Sequence, residues 1–178
     1  MCAIEYYTYE DYVQWEGKWE LIDGIPLAMA PSPIVTHQAI AALVVMELSQ
    51  SALECEKCMV VGEMDWKIND ETILRPDILL VCNERNEAYI SKTPEIVVEV
   101  ISPSTARRDE KFKFEIYENE KVLYYVMIYP SDCKAKIYKL KNGKFDKEGD
   151  FFKEAYTFED ASCGAKVDFE NVFSRFCK

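Results

Sequence analysis

One strand limits what this chain can fold into. Residues 95–101 read Glu-Ile-Val-Val-Glu-Val-Ile, an almost unbroken β-branched run with a carboxylate at position 99. Such a run suits a strand buried on both faces. Glu99 therefore poses a physical question, because an isolated buried carboxylate is costly unless it is paired, protonated or bound to a cation. A buried salt bridge, or a strand with one wet face, answers that question as well as a metal site does.

The surroundings of that strand outline a fold. Ser102-Pro103-Ser104-Thr105 ends it and supplies N-cap candidates for a helix over 106–120. Residues 123–128 predict another apolar strand, and Asn142-Gly143 predicts a hairpin turn between 134–140 and the segment from 144 onward. Upstream, Thr8 and Asp11 cap a short helix reaching Gly17, and Asp23-Gly24 turns a hairpin within 19–30. Pro31-Ser32-Pro33 breaks the chain before an amphipathic helix over 36–51. Residues 59–67 and 73–82 read as two strands around the polar turn Asn69-Asp70-Glu71, and the tail predicts a strand over 164–167 and a short helix from Glu170. The order predicts a single α/β domain over 1–178, with a mixed central β-sheet flanked by helices.

Composition excludes several classes. With 49% hydrophobic and 13% aromatic residues the chain is globular. The N-terminus lacks the basic region and sustained apolar stretch of a signal peptide. No run reaches the ~18 apolar residues of a membrane span. These features predict a cytoplasmic protein with no membrane partner. Seven cysteines are an odd number in a chain without an export signal, so reduced, partly buried thiols are expected rather than disulfides. Cys55 and Cys58 form a single CxxC with no second CxxC, and His37 is the only histidine, which argues against a zinc site. The net charge of −11 counts against a nucleic-acid partner. A cleft can carry a local field of opposite sign, and a bound divalent cation offsets carboxylates at a site.

A second carboxylate gives Glu99 a partner. Leu74-Arg75-Pro76-Asp77 opens the apolar run 78–81, and proline suits the first residue of a strand, so Asp77 falls at a strand entrance. Alone it reads as an ordinary turn aspartate. If its strand neighbours that of Glu99, the two carboxylates converge and repel unless something positive lies between them. A hard cation such as Mg²⁺ prefers such oxygen ligands.

RPDILLV at 75–81 and PEIVVEVISPSTARRDEKFKFEIY at 94–117 resemble the Uma family of restriction-endonuclease-like proteins, a branch of the PD-(D/E)xK nuclease superfamily. The similarity extends through WELIDGIPLAMAPSPIVTHQAI at 19–40 and VLYYVMIYP at 122–130. The resemblance implies a restriction-endonuclease-like core and a Mg²⁺- or Mn²⁺-dependent endonuclease acting on DNA, commonly as a homodimer. It implies that Asp77, Glu99 and the carbonyl of Val100 hold the metal. The superfamily's E-x-K order requires lysine at position 101, because residues i and i+2 of a strand share a face, and this chain has Ile101. The helix that follows offers a replacement. Asp109, Lys113 and Tyr117 are spaced by four along one face, with Phe112 and Ile116 marking the neighbouring apolar stripe. In related sequences the lysine four after the aspartate takes this place, which points to Lys113 as the catalytic lysine. A solvated lysine paired with Asp109 is the ordinary alternative.

The resemblance also aligns Glu20 and His37 with residues at or beside the metal, although a lone histidine at a helix start also serves capping or packing. Tyr117 suits a hydrogen bond within the site or core packing, and Arg107 and Arg108 suit neighbouring phosphates. Residues 124–130, Tyr-Tyr-Val-Met-Ile-Tyr-Pro, lack the tryptophan and aspartate common in that strand of the family. A reading from a different class keeps the fold without turnover, as a nuclease-like binding or assembly module, and the acidic balance favours it.

Overall fold

The computed structural model describes residues 5–29, 34–103 and 106–177. A short helix α1 (Tyr9–Tyr12) precedes the hairpin β1 (Trp19–Ile22) and β2 (Ile25–Ala28), and the long helix α2 (Val35–Ser51) follows. Next come β3 (Cys58–Gly62), β4 (Trp66–Asn69), β5 (Thr72–Leu74), β6 (Ile78–Cys82) and β7 (Ile96–Val100). A π-helical turn (Arg108–Lys113) runs into α3 (Phe114–Asn119), then β8 (Tyr124–Tyr129), β9 (Lys134–Lys141) and β10 (Lys144–Phe151). The chain closes with β11 (Ala155–Thr157), β12 (Lys166–Asp168) and α4 (Phe169–Phe173).

The central sheet has six strands in the order β10-β9-β8-β7-β6-β3. Only β7 and β8 run parallel in it, and the helical segment between them makes the crossover that parallel neighbours require. A four-stranded sheet, β2-β1-β5-β4, lies beside it, and β11 pairs with β12. The predicted α/β architecture with a mixed sheet flanked by helices is the one observed.

The sequence pattern merged strands that the fold separates. The strand expected over 59–67 is two, β3 in the central sheet and β4 in the smaller one. The strand expected over 73–82 is likewise split into β5 and β6. The chain turns between sheets at Glu63, which has φ 48°, and at Arg75-Pro76-Asp77. Proline supplies no ladder hydrogen bond, so a strand ends there readily. Asp23 and Gly24, with φ 50° and 75°, make the expected hairpin turn, a left-handed pair that suits a two-residue loop. The break at Pro31-Ser32-Pro33 lies outside the described residues. The first helix stops at Tyr12, short of Gly17, and the strand near the tail starts at Lys166 rather than at Gly164.

Each face of the central sheet buries a different cluster. Ile96, Val98 and Val100 join Ile40, Val44 and Leu48 of α2 in one core. Val97, Ile101, Tyr117 and Tyr125 pack on the other face. Of the expected apolar stripe, Ile116 packs against the core as expected, whereas Phe112 is 54% exposed and Phe114 packs inward in its place.

The cysteines correct a sequence expectation. Disulfides join Cys55 to Cys163, Cys58 to Cys82 and Cys133 to Cys177. The partners are 108, 24 and 44 residues apart, so spacing along the chain gave no sign of them.

Candidate active site

The site grows from the end of β7. Its register with β6 pairs Ile78 with Val98, and one further step faces Asp77 with Glu99. Asp77 is fixed from two sides: its Oδ2 accepts a 2.7 Å hydrogen bond from the Val100 backbone N–H, and His37 Nε2 lies 3.3 Å from the same oxygen. Asp77 thus ends close enough to Glu99 for its charge to act on the Glu99 carboxyl.

Glu99 points into the face that carries Tyr117 and Lys113. Lys113 Nζ lies 2.8 Å from Glu99 Oε1 and donates to it, and the Tyr117 hydroxyl donates to the same oxygen at 2.7 Å. Trp66 stacks on Tyr117 with ring centroids 5.9 Å apart, which holds the phenol in place. Lys113 Nζ is also 2.8 Å from Glu20 Oε1 and 3.8 Å from Asp109 Oδ1. Lys113 is only 2% exposed, so it is no solvated helix lysine. The spacing of four did place Asp109, Lys113 and Tyr117 on one buried face, and the turn that carries Asp109 and Lys113 is π-helical. Such turns recur at functional sites.

Glu20 has a larger part than the sequence alone conveyed. Fully buried on β1, it links the smaller sheet to the cluster. Its Oε1 also accepts the Arg75 N–H at 2.9 Å. Its Oε2 lies 3.5 Å from Arg108 Nη1 and is buried without a hydrogen bond among the described residues. Arg107 is exposed and forms no ion pair with the cluster among the described residues.

Electrostatics follows from burial and crowding. Burial pushes the Glu99 carboxyl well above its ordinary range; the Lys113 charge opposes this, and Asp109, Asp77 and Glu20 add to it. Burial disfavours the Lys113 ammonium, but the charges of Glu20, Glu99 and Asp109 outweigh it, so Lys113 stays protonated. Burial works against the His37 cation too, yet the hydrogen bond and charge of Asp77, with Glu63 and the Val100 carbonyl, raise its pKa.

Asp77 and His37 open onto a cleft of about 630 Å³. Lys18, Gln38 and Glu63 line it as well. Gln38 Nε2 donates to Glu63 at 2.8 Å, and Lys18 pairs with the same carboxylate. Glu63 is a cleft residue that no motif in the sequence singles out. The acidic break Glu63-Met64-Asp65 inside an otherwise apolar stretch was the available signal.

The donor set suits a hard divalent cation. Asp77, Glu99 and the Val100 carbonyl offer oxygen only. Around them four carboxylates (Glu20, Asp77, Glu99, Asp109) face two permanent cations, Lys113 and Arg108. With Glu99 ionised, a cation of charge two would balance that cluster, and Glu20 Oε2, without a hydrogen bond among the described residues, marks where polar capacity is unused.

The fold is a mixed α/β architecture shared with a solved protein. It superposes on the crystal structure of a "putative nuclease belonging to DUF820" from Anabaena variabilis with a TM-score of 0.74, covering 94% of this chain and 97% of that one at 15% identity. The sequence then narrows the class. The profile of the Uma2 family, described as "Putative restriction endonuclease", matches residues 9–155, and the chain belongs to that family. It is also 28% identical over 139 residues to an uncharacterized protein of Synechocystis sp., spanning 72% of each chain. No helix among the described residues is long and apolar enough to cross a membrane.

Proposed function

We propose that the protein is a Mg²⁺-dependent endonuclease, with Mn²⁺ as an alternative metal, that hydrolyses phosphodiester bonds of DNA. The observation that carries this reading is Lys113, enclosed between Glu99 and Glu20, with Asp109 Oδ1 3.8 Å away. Asp77, Glu99 and the Val100 carbonyl would hold the cation. When bound, it supplies Lewis-acid polarisation of the scissile phosphate and a lowered pKa for the attacking water.

The protein's own groups prepare the rest. Lys113 provides a fixed ammonium to orient the water or to stabilise negative charge developing on the phosphate. Tyr117 and Lys113 fix the orientation of Glu99 through one shared oxygen. His37 and the Val100 N–H fix Asp77. Arg108, beside Glu20, and exposed Arg107 are suited to adjoining phosphates. A homodimer, in the cytoplasm, would bring two such sites to the two strands of a duplex.

Cleavage of supercoiled plasmid and of single-stranded DNA in Mg²⁺ tests the reading. The wild type is expected to cut, whereas Asp77→Asn and Lys113→Met are not. Undiminished cutting by both variants would overturn the assignment.

One observation favours the second reading, a nuclease-like binding or assembly module without turnover. Glu20, Glu99 and Lys113 are closed to solvent, and only the Asp77 and His37 side meets the cleft. Metal binding with no cleavage of any nucleic acid tested would decide for the module.

A further inference from the structure

A second cluster of metal-ligating side chains lies outside the site described above. Cys55 follows the C-terminal end of α2, and Cys58 opens β3. Cys82 ends β6 directly opposite Cys58 in the antiparallel register. Cys163 sits in the turn between β11 and β12. The Sγ atoms of Cys55, Cys58 and Cys163 all lie within 4.8 Å of one another. Cys82, bonded to Cys58, places a fourth sulfur beside that of Cys58 but outside the mutual 4.8 Å group, so it has to turn toward Cys55 and Cys163 once the S–S bond opens. Along the sequence Cys55 and Cys58 have no second ligand pair. The fold supplies that pair from positions 82 and 163.

We propose that in the reduced protein Cys55, Cys58, Cys82 and Cys163 form a four-thiolate site for a thiophilic divalent cation, zinc. Four sulfurs at ~2.3 Å from a tetrahedral zinc ion stand roughly 3.8 Å apart, so the spread of the three clustered sulfurs needs little adjustment. Soft thiolates select such a metal over Mg²⁺, which keeps the two metal sites chemically separate.

The cysteines are positioned by contacts independent of their disulfides. Ser162, next to Cys163, donates from both its N–H and its hydroxyl to Glu95 at 2.6 Å. The Lys166 N–H donates to Ser51 Oγ at 2.9 Å, and the Asp168 N–H donates to Glu47 at 3.1 Å. These bonds hold the β11–β12 turn against α2 with or without an S–S bond. Cys55 and Cys163 line an open groove, so reductant and ion can reach them.

The chemistry balances with a dithiol reductant of the kind present in reducing compartments. Two disulfides take up four electrons and four protons to give four thiols, while the reductant is oxidised to its own disulfide. The thiols then release protons as four Zn–S bonds form, and zinc changes no oxidation state. The site would replace two covalent links by one ion at the same corner, joining α2, the central sheet and the C-terminal hairpin.

The test uses the full-length chain, fully reduced with a phosphine and titrated anaerobically with Co²⁺ and then Zn²⁺. The intense visible and charge-transfer absorption of tetrahedral thiolate coordination should saturate at one Co²⁺ per chain, and one Zn²⁺ should abolish it. Cys58→Ser and Cys163→Ser should each weaken binding at least tenfold. Cys82→Ser should lower the charge-transfer intensity by about a quarter, since that band scales with the number of thiolates. The Cys133→Ser, Cys177→Ser double variant should bind as the wild type does. In case a serine variant misfolds, alkylation of the wild type is read by mass spectrometry. Zinc should protect the four clustered cysteines and leave Cys133 and Cys177 reactive. No cobalt spectrum from the reduced wild type, an unchanged spectrum for Cys163→Ser or Cys82→Ser, or uniform alkylation would overturn the proposal.

Discussion

The two faces of β7 are built from one strand five residues long and behave differently. Ile96, Val98 and Val100 project into an apolar layer against α2, where neighbours are aliphatic and close packing suffices. Val97 and Glu99 project to the side of Lys113 and Tyr117, where a carboxylate is enclosed with an ammonium, a phenol and three further carboxylates. A charge is tolerated on one face because the helix that follows, together with β1, delivers its partners. The comparison teaches that burial alone does not make Glu99 anomalous. The excess of negative over positive charge around it does.

The largest effects should come from Lys113. Lys113→Ala leaves Glu20 and Glu99 buried without their shared cation, a loss expected at about 3–4 kcal/mol in urea denaturation. Lys113→Met retains the volume and should unfold less easily than Lys113→Ala, while plasmid cleavage still falls by about a thousandfold. If the methionine variant kept its activity, the polar face would be structural only.

The apolar face should respond in the opposite manner. Val98→Ala should cost about 2 kcal/mol of stability by removing core volume, with Mg²⁺ affinity unchanged. A parallel fall in metal affinity would erase the distinction between the faces. His37→Ala, which removes a partner of Asp77 rather than a proposed metal ligand, should weaken Mg²⁺ binding by about 10–100-fold with little change in stability.

The smallest effect is a pH dependence. The folded-state pKa of Glu99 is raised, so the metal-free folded protein binds that proton more tightly than the unfolded chain does. This contribution to stability is complete below the unfolded value and is lost as pH rises through the folded value. Bound Mg²⁺ should remove the loss, and its affinity should rise over the same window as the proton is displaced. Glu99→Gln, which cannot ionise, should flatten the metal-free profile; an unchanged profile would assign the titration to another group.

Much of this was legible in the sequence, for reasons that differ by residue. Glu99 was conspicuous because it interrupts a run of β-branched residues, and Asp77 because Pro76 marks a strand entrance. Lys113 was reached from a period of four, and the structure places it between two carboxylates rather than in solvent. Other features were hidden. An alternating pattern reports burial but not which sheet a strand joins, so 59–67 and 73–82 were read as single strands. Glu63 and Lys18 meet at the cleft from 45 residues apart. The disulfides had the same cause, since contacts between distant segments leave no local signature.

The central claim is that Asp77 and Glu99 hold a divalent cation. Calorimetric titration of Mg²⁺ into the wild type and into Glu99→Gln, both verified as folded by circular dichroism, tests it most directly. The account predicts one ion per chain for the wild type and loss of that binding in the variant. Absence of binding to the wild type, or equal binding by the two proteins, would contradict it.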